Sequence, residues 1–316
     1  MAYSLFTNSG LITSKDKVAE RRPDINPIHK ILGYVLMRLN LPAPAKLNLF
    51  LHVLGRRLDD YHEIQSAMCF LELADLVSFR EQKDGIQVQM DGVRQEDNLI
   101  YKAASLLSEI AHASGVEITV RKNIPMGAGL GGGSSDAATT LHGLNLLWGL
   151  GMQDEELANV ALKVGADVPF FLRGFNAFVE GIGEKLTPIE LAEVWYLILL
   201  PKTKVPTAQV FQSSDLTRDT SPITITRFLQ EGILGNDCET VVRRLYPEVG
   251  AVIDWLREYG TARMTGTGSC IFLETDDEAE AQAILSRSSW QGFVTRSTKQ
   301  SMLVDALVQN RKSFQN

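Results

Sequence analysis

The chain has 316 residues, of which 45% are hydrophobic and 22% are charged, and its formal net charge is −7. This composition is typical of a globular protein that is large enough for two domains. The negative charge argues against a nucleic-acid-binding surface, and no apolar run approaches the roughly 20 residues of a membrane-spanning helix. Cys69, Cys238 and Cys270 lie far apart without metal-binding spacing, so we expect reduced core thiols in a cytoplasmic protein.

Strand and helix patterns alternate along most of the chain, which predicts an α/β or α+β protein. Strands are predicted at 47–54, 85–90, 116–122, 193–201 and 293–297, with β-like or mixed structure at 64–80 and a strand–loop–strand at 262–274. Helices are predicted at 98–114, 134–148, 154–164, 207–213, 236–246, 248–259, 277–287 and from 300 onward. In the first of these helices, the expected buried face contains Leu99, Ala103, Leu106, Leu107 and Ile110.

The ends of these patterns suggest three segments. Residues 1–36 show no sustained period, and we expect a disordered extension. The sequence changes character at 193–206, where a buried strand leads into a loop that contains proline. We therefore predict an N-terminal domain at 37–195 and a C-terminal domain at 196–316.

The segment PMGAGLGGGSSDAA, residues 125–138, is rich in glycine and runs directly into a predicted helix. Glycine lets the backbone approach a ligand closely, and a helix N-terminus adds about half a positive charge, so the pattern predicts phosphate binding. Ser134 or Ser135 is the expected N-cap of this helix. We attribute Asp136 to the helix dipole rather than to metal binding.

A dinucleotide-binding or dehydrogenase module is the more distant alternative, because residues 127–132 also match GxGxxG. Two features argue against it. The preceding segment is amphipathic and ends in Pro125, whereas a buried parallel strand should be apolar. The acidic residues about 20 positions further on, Asp154 and Glu155, begin a helix. The pattern GxxxxGK[ST] is absent, which excludes a Walker P-loop.

The glycine-rich segment resembles the phosphate-binding motif of the GHMP kinases, a family that includes galactokinase, homoserine kinase and mevalonate kinase. PAKLNLFL (44–51) and MTGTGSCIF (264–272) are similar to the family's N-terminal motif and C-terminal glycine loop, in the same order. The chain departs from the family pattern by an extra glycine, by Asp136, and by threonine at 265 and 267 in place of serine. The resemblance implies an ATP-dependent kinase with an α/β N-terminal domain, a ferredoxin-like α+β C-terminal domain and a site in the cleft between them.

Within the family, four segments are most similar to the branch that phosphorylates a cytidine diphosphate-linked methylerythritol on its 2-hydroxyl, a step of non-mevalonate isoprenoid precursor synthesis. These segments are 44–63, GLGGGSSDAA, GADVPFF (165–171) and NDCE (236–239). A kinase of the homoserine or mevalonate type is the nearer alternative. The implied partner is this small molecule, without nucleic acid or membrane, and we expect a monomer or a weak homodimer.

The resemblance implies that Asp167 is the catalytic aspartate, which accepts or orients the proton of the attacking hydroxyl. From the residues alone, Asp167 would be a helix N-cap, and both roles are compatible. The resemblance pairs Lys46 with Asp167, whereas the alternative is a solvated lysine at the end of a strand. Asn48 lies two residues further on the same strand face and is expected in the same pocket.

The remaining site residues also follow from the resemblance. Tyr61 and His62 hold the cytosine with Phe211 as the second aromatic residue, although a loop role and a core role remain open for them. Gly266, Thr267 and Gly268 pack against the substrate phosphates. The ATP-binding residues are Asn98, Leu99, Lys122, Pro125, Met126, Gly127, Ala128, Gly129, Leu130, Gly131, Gly132, Gly133, Ser134 and Ser135. Mg²⁺ is expected to contact Ser134 or Ser135.

Overall fold

The computed structural model describes residues 38–111, 115–232 and 235–315. The predicted extension at 1–36 therefore lies outside the described residues. Within these three ranges, no helix combines the length and apolar character that crossing a membrane requires.

Ten strands and ten α helices make up the described part of the chain. The strands are β1 (Arg38–Arg56), β2 (His62–Gln82), β3 (Ile86–Gln89), β4 (Gly115–Arg121), β5 (Ala177–Gly181), β6 (Lys185–Pro188), β7 (Trp195–Leu200), β8 (Arg263–Met264), β9 (Ile271–Thr275) and β10 (Gln291–Thr298). The helices are α1 (Leu99–Ala111), α2 (Gly132–Leu147), α3 (Asp154–Val164), α4 (Val168–Arg173), α5 (Thr207–Gln212), α6 (Ile225–Glu231), α7 (Cys238–Leu245), α8 (Pro247–Arg257), α9 (Glu278–Leu285) and α10 (Met302–Gln315).

The strands form one sheet around β2, which has 21 residues and pairs with β1, β4, β5 and β10. Only β3 and β4 are parallel among the described pairs, and the others are antiparallel. The strand before the glycine-rich segment, β4, is thus antiparallel to its neighbour β2. This topology differs from the parallel sheet of a dinucleotide-binding fold, so that alternative is wrong.

The C-terminal half of the sheet has the strand order β10-β7-β9-β8, with helices after β7 and between β9 and β10. This βαββαβ arrangement is the ferredoxin-like pattern that was expected. Strand β10 also pairs with β2, where Ser297 lies opposite Leu71, so one sheet runs through both halves. The domain boundary at 195/196 stays a prediction.

Helices α1 to α4 and α10 pack against the N-terminal strands around a large apolar core. The buried stripe of α1 consists of Ile100, Ala103, Ala104 and Leu107, whose spacing of three and four residues is that of one helix face. The prediction that Ile110 belongs to this face is wrong, because Ile110 is 54% exposed. All three cysteines are buried and unpaired, as predicted.

Helix α2 begins earlier than the predicted N-cap at Ser134 or Ser135 would place it. Its N-cap is Gly131, which adopts the left-handed conformation with a φ of 73°, and Gly132 is the first helical residue. Ser134 and Ser135 lie inside the helix, and the Ser135 hydroxyl donates to the Pro44 carbonyl oxygen at 2.6 Å. The serine N-cap prediction is therefore wrong, because a left-handed glycine ends the loop before either serine.

Asp75, Lys122 and Asp136 form a buried ionic triad that connects β2, the start of the glycine-rich segment and α2. Lys122 Nζ pairs with Asp75 and lies 2.7 Å from Asp136 Oδ2, and both carboxylates are fully buried. Asp75 Oδ1 also accepts the backbone N–H groups of Asn123 and Ile124, at 2.5 and 2.8 Å. The triad therefore holds the two ends of the segment together. Asp136 lies beyond the first helical turn, so its carboxylate is explained by the ion pair with Lys122 rather than by the helix dipole.

Two carboxylates share one ammonium in this triad, which leaves one negative charge poorly compensated. Burial, together with the nearby Asp75, raises the pKa of Asp136 to about 7, although Lys122 opposes the shift. Between pH 4 and pH 7, approximately, the folded protein thus holds a proton that the unfolded chain releases. The free energy of unfolding must consequently fall as the pH rises through this interval.

Asp136→Asn should remove this pH dependence. We expect the variant to gain stability relative to the wild type as the pH rises from about 5 to about 8, by roughly 2 to 3 kcal/mol. Urea unfolding across this pH range measures the difference. Asp154→Asn, at an exposed acid that begins α3, is the matched control and should leave the profile unchanged. Parallel profiles for Asp136→Asn and wild type would contradict the assignment.

Candidate active site

A cavity of about 270 Å³ opens beside the glycine-rich segment. Among the predicted ATP-binding residues, it is lined by Leu99, Lys122 and all of residues 125–134. Asn98 and Ser135 are not part of this lining. The Asn98 Oδ1 atom accepts the N–H of Ile100 at 2.9 Å, so this side chain stabilises the start of α1. The cavity thus gathers most of the predicted nucleotide site in one place.

The first glycine loop, residues 125–135, requires glycine for two physical reasons. Gly127, Gly129 and Gly131 have φ values between 73° and 79°, a conformation that L-residues with a side chain rarely adopt. Neighbouring atoms also leave no room for a Cβ, which would lie 2.5 Å from the Thr265 carbonyl oxygen at Gly129 and 2.5 Å from the Phe171 ring at Gly131. The close approach of two other segments therefore requires glycine at 129 and 131, whereas at Gly127 the positive φ is what favours glycine.

The start of α2 provides hydrogen-bond donors for an anion. No side chain caps this helix end, so the backbone N–H groups of its first turn have no partner from a capping side chain. Gly132 and Gly133 keep the approach to these groups open, and both line the cavity together with Ser134. A phosphate chain fits such a site, because the helix dipole and the N–H groups both favour negative charge.

Lys46 is buried in β1, with 3% of its surface exposed, and is not the solvated strand end that was considered. Its ammonium donates to Asn48 Oδ1 and, at 3.0 Å, to the carbonyl oxygen of Gly129. Burial lowers the pKa of Lys46, and the charge of Asp167 opposes this effect. The lysine therefore links the strand, the first glycine loop and the aspartate.

Asp167 occupies the N-cap position of α4, but its carboxylate makes no capping hydrogen bond. Its Oδ2 atom lies 3.9 Å from Lys46 Nζ, and 37% of its side chain is exposed. Pro169 is in the first turn of α4, so the helix begins without a side-chain cap. The carboxylate is consequently free to contact a hydroxyl group that approaches Lys46 from the open side.

The second glycine loop, residues 266–269, lies directly beside the side chains of Asn48 and Lys46. A Cβ on Gly266 would lie 3.3 Å from Asn48 Oδ1 and 3.7 Å from Lys46 Nζ. The backbone N–H of Asn48 donates to Thr265 Oγ1 at 2.9 Å, which attaches β1 to the same loop. The Thr267 hydroxyl is hydrogen-bonded to the Thr207 hydroxyl at 2.9 Å, so it faces α5.

The predicted aromatic residues lie where the β1–β2 hairpin meets α5. The rings of His62 and Phe211 have centroids 5.0 Å apart and are tilted by 36°. Tyr61 precedes His62 in the hairpin and is 56% exposed. Phe211 also packs against the C-terminal core, so the residue contributes to the core and lies beside His62 at the same time. Burial is the main cause that lowers the pKa of His62, followed by the positive charges of Arg218 and Arg56.

No cluster of three or more histidine, cysteine, aspartate or glutamate side chains suited to a metal ion occurs among the described residues. A divalent cation here would thus depend on ligand phosphates and water, which is how Mg²⁺ usually binds. Of the two predicted serines, only Ser134 lines the cavity, because the hydroxyl of Ser135 is committed to Pro44.

Sequence reasoning assigned no role to two residues that organise this region. Asn236 Nδ2 donates to the carbonyl oxygens of Met264 and Gly266, at 2.8 and 2.9 Å, and so fixes the second glycine loop. The NDCE motif was a usable signal for it. Arg218 connects His62 to the α5 region through several hydrogen bonds, but it lies in a polar stretch that carries no motif.

Comparison with known proteins agrees with this geometry. Residues 98–175 match the family model of the GHMP kinases N terminal domain, and residues 227–288 match that of the GHMP kinases C terminal. A Nitrosococcus oceani protein named 4-diphosphocytidyl-2-C-methyl-D-erythritol kinase is 50% identical over 272 residues, which cover 84% of this chain and 97% of the relative.

Solved structures give the same result. A crystal structure of 4-(cytidine 5'-diphospho)-2C-methyl-D-erythritol kinase superposes with a TM-score of 0.72 and 34% identity, over 82% of this chain and 99% of that one. A homoserine kinase from Cytophaga hutchinsonii has a TM-score of 0.59 at 18% identity, over 85% of this chain and 97% of that one, and shares the fold. The chain therefore belongs to the GHMP kinase family, and within it to the 4-diphosphocytidyl-2-C-methyl-D-erythritol kinases.

Proposed function

We propose that this protein transfers the γ-phosphoryl group of ATP to the 2-hydroxyl group of 4-diphosphocytidyl-2-C-methyl-D-erythritol, in the non-mevalonate synthesis of isoprenoid precursors. The observation that carries the reaction type is the Lys46–Asp167 pair, which lies beside the first glycine loop. The substrate follows from relatives that are about half identical over nearly their whole length.

Asp167 orients the attacking hydroxyl and accepts its proton. A general base must come within hydrogen-bonding distance of the proton that it removes. The Asp167 carboxylate makes no capping bond and is 37% exposed, which supports this role because a hydroxyl group can reach it. Lys46 pairs with the carboxylate and offsets negative charge that develops on the transferred group. Asn48 and the Gly129 carbonyl oxygen hold the ammonium in place.

The first glycine loop and the start of α2 bind the phosphates. ATP supplies the γ-phosphoryl group when it is bound. The loop's N–H groups and Lys122 position the phosphate chain, and positioning together with electrostatic stabilisation provides most of the catalysis in phosphoryl transfer. The second glycine loop approaches Lys46 from the other side and would contact the phosphates of the acceptor.

Tyr61, His62 and Phe211 bind the cytosine in this proposal. Aromatic faces stack on a pyrimidine, and an imidazole supplies a hydrogen bond to its edge. The proximity of the His62 and Phe211 rings, together with the exposure of Tyr61, supports a base-binding site at the hairpin.

Several finer assignments belong to the same proposal. They are a domain boundary at 195/196, Mg²⁺ contacted by Ser134, and a monomer or weak homodimer in the cytoplasm. Three buried, unpaired cysteines support a reducing compartment. Ser134 lines the cavity, where its hydroxyl could contact a hydrated cation, and this position supports the Ser134 assignment.

Release of ADP by the purified protein tests the function directly. With ATP and Mg²⁺ present, we expect turnover with 4-diphosphocytidyl-2-C-methyl-D-erythritol and none with homoserine or mevalonate. Turnover with homoserine or mevalonate instead would support the proposed kinase activity but contradict the proposed substrate. The absence of turnover with all three alcohols would contradict the proposal.

Asp167→Asn should lower kcat by a factor on the order of 10² to 10⁴, the usual contribution of a positioned general base. The fold should survive, because the carboxylate makes no capping bond and is 37% exposed. Steady-state kinetics measures kcat, and thermal unfolding checks the fold. Asp215→Asn, at a half-exposed surface acid paired with Arg244, is the control and should retain kcat. A fully active Asp167→Asn enzyme would remove Asp167 from the mechanism.

A further inference from the structure

Arg218 is held rigidly between α5 and the β1–β2 hairpin. Its Nη2 group donates to the carbonyl oxygens of Phe211 and Ser213, both at 2.8 Å, and its Nη1 group donates to that of Leu216 at 3.1 Å. Its Nε–H donates to His62 Nε2 at 3.0 Å. All three nitrogens of the guanidinium are thus engaged, and the group has one fixed orientation.

This hydrogen bond determines which nitrogen of His62 carries the proton. A guanidinium has only donors, so the Nε2 atom that faces it must be an acceptor. In a neutral imidazole with an unprotonated Nε2, the proton is on Nδ1. Among the described residues, no hydrogen bond is made to Nδ1 of His62, which leaves this N–H available to a ligand.

The charged groups around His62 favour the neutral ring. Burial lowers its pKa most, Arg218 and Arg56 lower it further, and Asp60 alone opposes them. An imidazole that stays neutral near pH 7 and has a fixed tautomer presents one donor and no acceptor to its open side.

We propose that Arg218 is a positioning and specificity-determining residue, which holds His62 in the Nδ1–H tautomer so that the ring donates to an acceptor atom of the substrate's pyrimidine base. The inference rests on the proposed function, because it places the base beside His62. Cytosine offers the acceptors N3 and O2 on its edge, and a ring with an unprotonated Nδ1 would oppose them with a lone pair. Arg218 also fixes the backbone at Phe211, so one residue sets both the donor and the neighbouring aromatic face.

Arg218→Met tests the proposal, because methionine is of similar length and has no donor. We expect the KM for 4-diphosphocytidyl-2-C-methyl-D-erythritol to rise about tenfold, which corresponds to the loss of one hydrogen bond. The KM for ATP and kcat should stay within about twofold, since the change leaves the Lys46–Asp167 pair intact. Arg227→Met is the matched control, because the Arg227 side chain lies on the exposed side of α6 and pairs with Glu231, far along the chain from the hairpin. An unchanged KM for the cytidyl substrate would overturn the proposal.

The pH dependence of the KM for the cytidyl substrate distinguishes a change of the His62 tautomer from a structural disturbance around residue 218. Removal of Arg218 removes one cause that lowers the pKa of His62, so the variant's imidazole should protonate at a higher pH than that of the wild type. Protonation of the His62 imidazole puts an N–H on both ring nitrogens, so Nδ1 becomes a donor whichever tautomer the neutral ring had. Acidification should therefore lower the KM of Arg218→Met toward the wild-type value, whereas the wild type changes little. A KM that stays high in the variant at low pH would indicate a structural role and overturn the proposal.

Nitrogen NMR of the protein labelled at histidine provides a readout that needs no substrate. The wild type should show His62 as the neutral Nδ1–H tautomer, and Arg218→Met should show a shift toward Nε2–H. An Nε2–H tautomer in the wild type would overturn the inference. Because this spectrum is recorded without ligand, failure of the tautomer assignment remains distinguishable from failure of the proposed function, which the ADP-release assay reports.

Discussion

The arrangement of this site depends on one buried positive charge. A buried ammonium is costly unless oxygen atoms surround it, and Lys46 obtains them from Asn48 on its own strand, Gly129 in the first glycine loop and Asp167 before α4. Those three elements must therefore meet at one point. Space around this point is small, since a Cβ on Gly131 would lie 2.5 Å from the Phe171 ring and 3.1 Å from the Lys46 side chain.

The features that could be predicted from sequence are those with a local pattern. The glycine-rich run, the alternation in 47–54 and the glycine that ends α3 each lie within a few residues, and the structure has a loop, a strand and a helix end at these places. The start of α2 was misplaced because serine is a frequent N-cap, whereas here a left-handed Gly131 precedes the helix and leaves its first N–H groups without a capping side chain. Ile110 was misassigned because an apolar residue near the end of a helix need not face the core.

Contacts between distant parts of the chain could not be predicted from pattern. Asn48 and Thr265 are 217 positions apart, and His62 and Arg218 are 156 positions apart, yet each pair is hydrogen-bonded. The same limit applies to Ser135. Its hydroxyl was a predicted contact for a metal ion, but in the structure it donates to the Pro44 carbonyl oxygen. Family resemblance identified Lys46 and Asp167 together, because it carries information about distance that a single sequence lacks.

The residues proposed for the reaction and those proposed for base recognition lie in different parts of this fold. The Lys46–Asp167 pair lies against both glycine loops, in the middle of β1 and at the start of α4. His62 and Phe211 instead lie at the end of the hairpin and on α5, held by Arg218. If the proposed roles hold, substitutions at the second location should change binding of the acceptor without disturbing the buried charge at the first, because no described hydrogen bond or ion pair of Lys46 involves His62, Phe211 or Arg218.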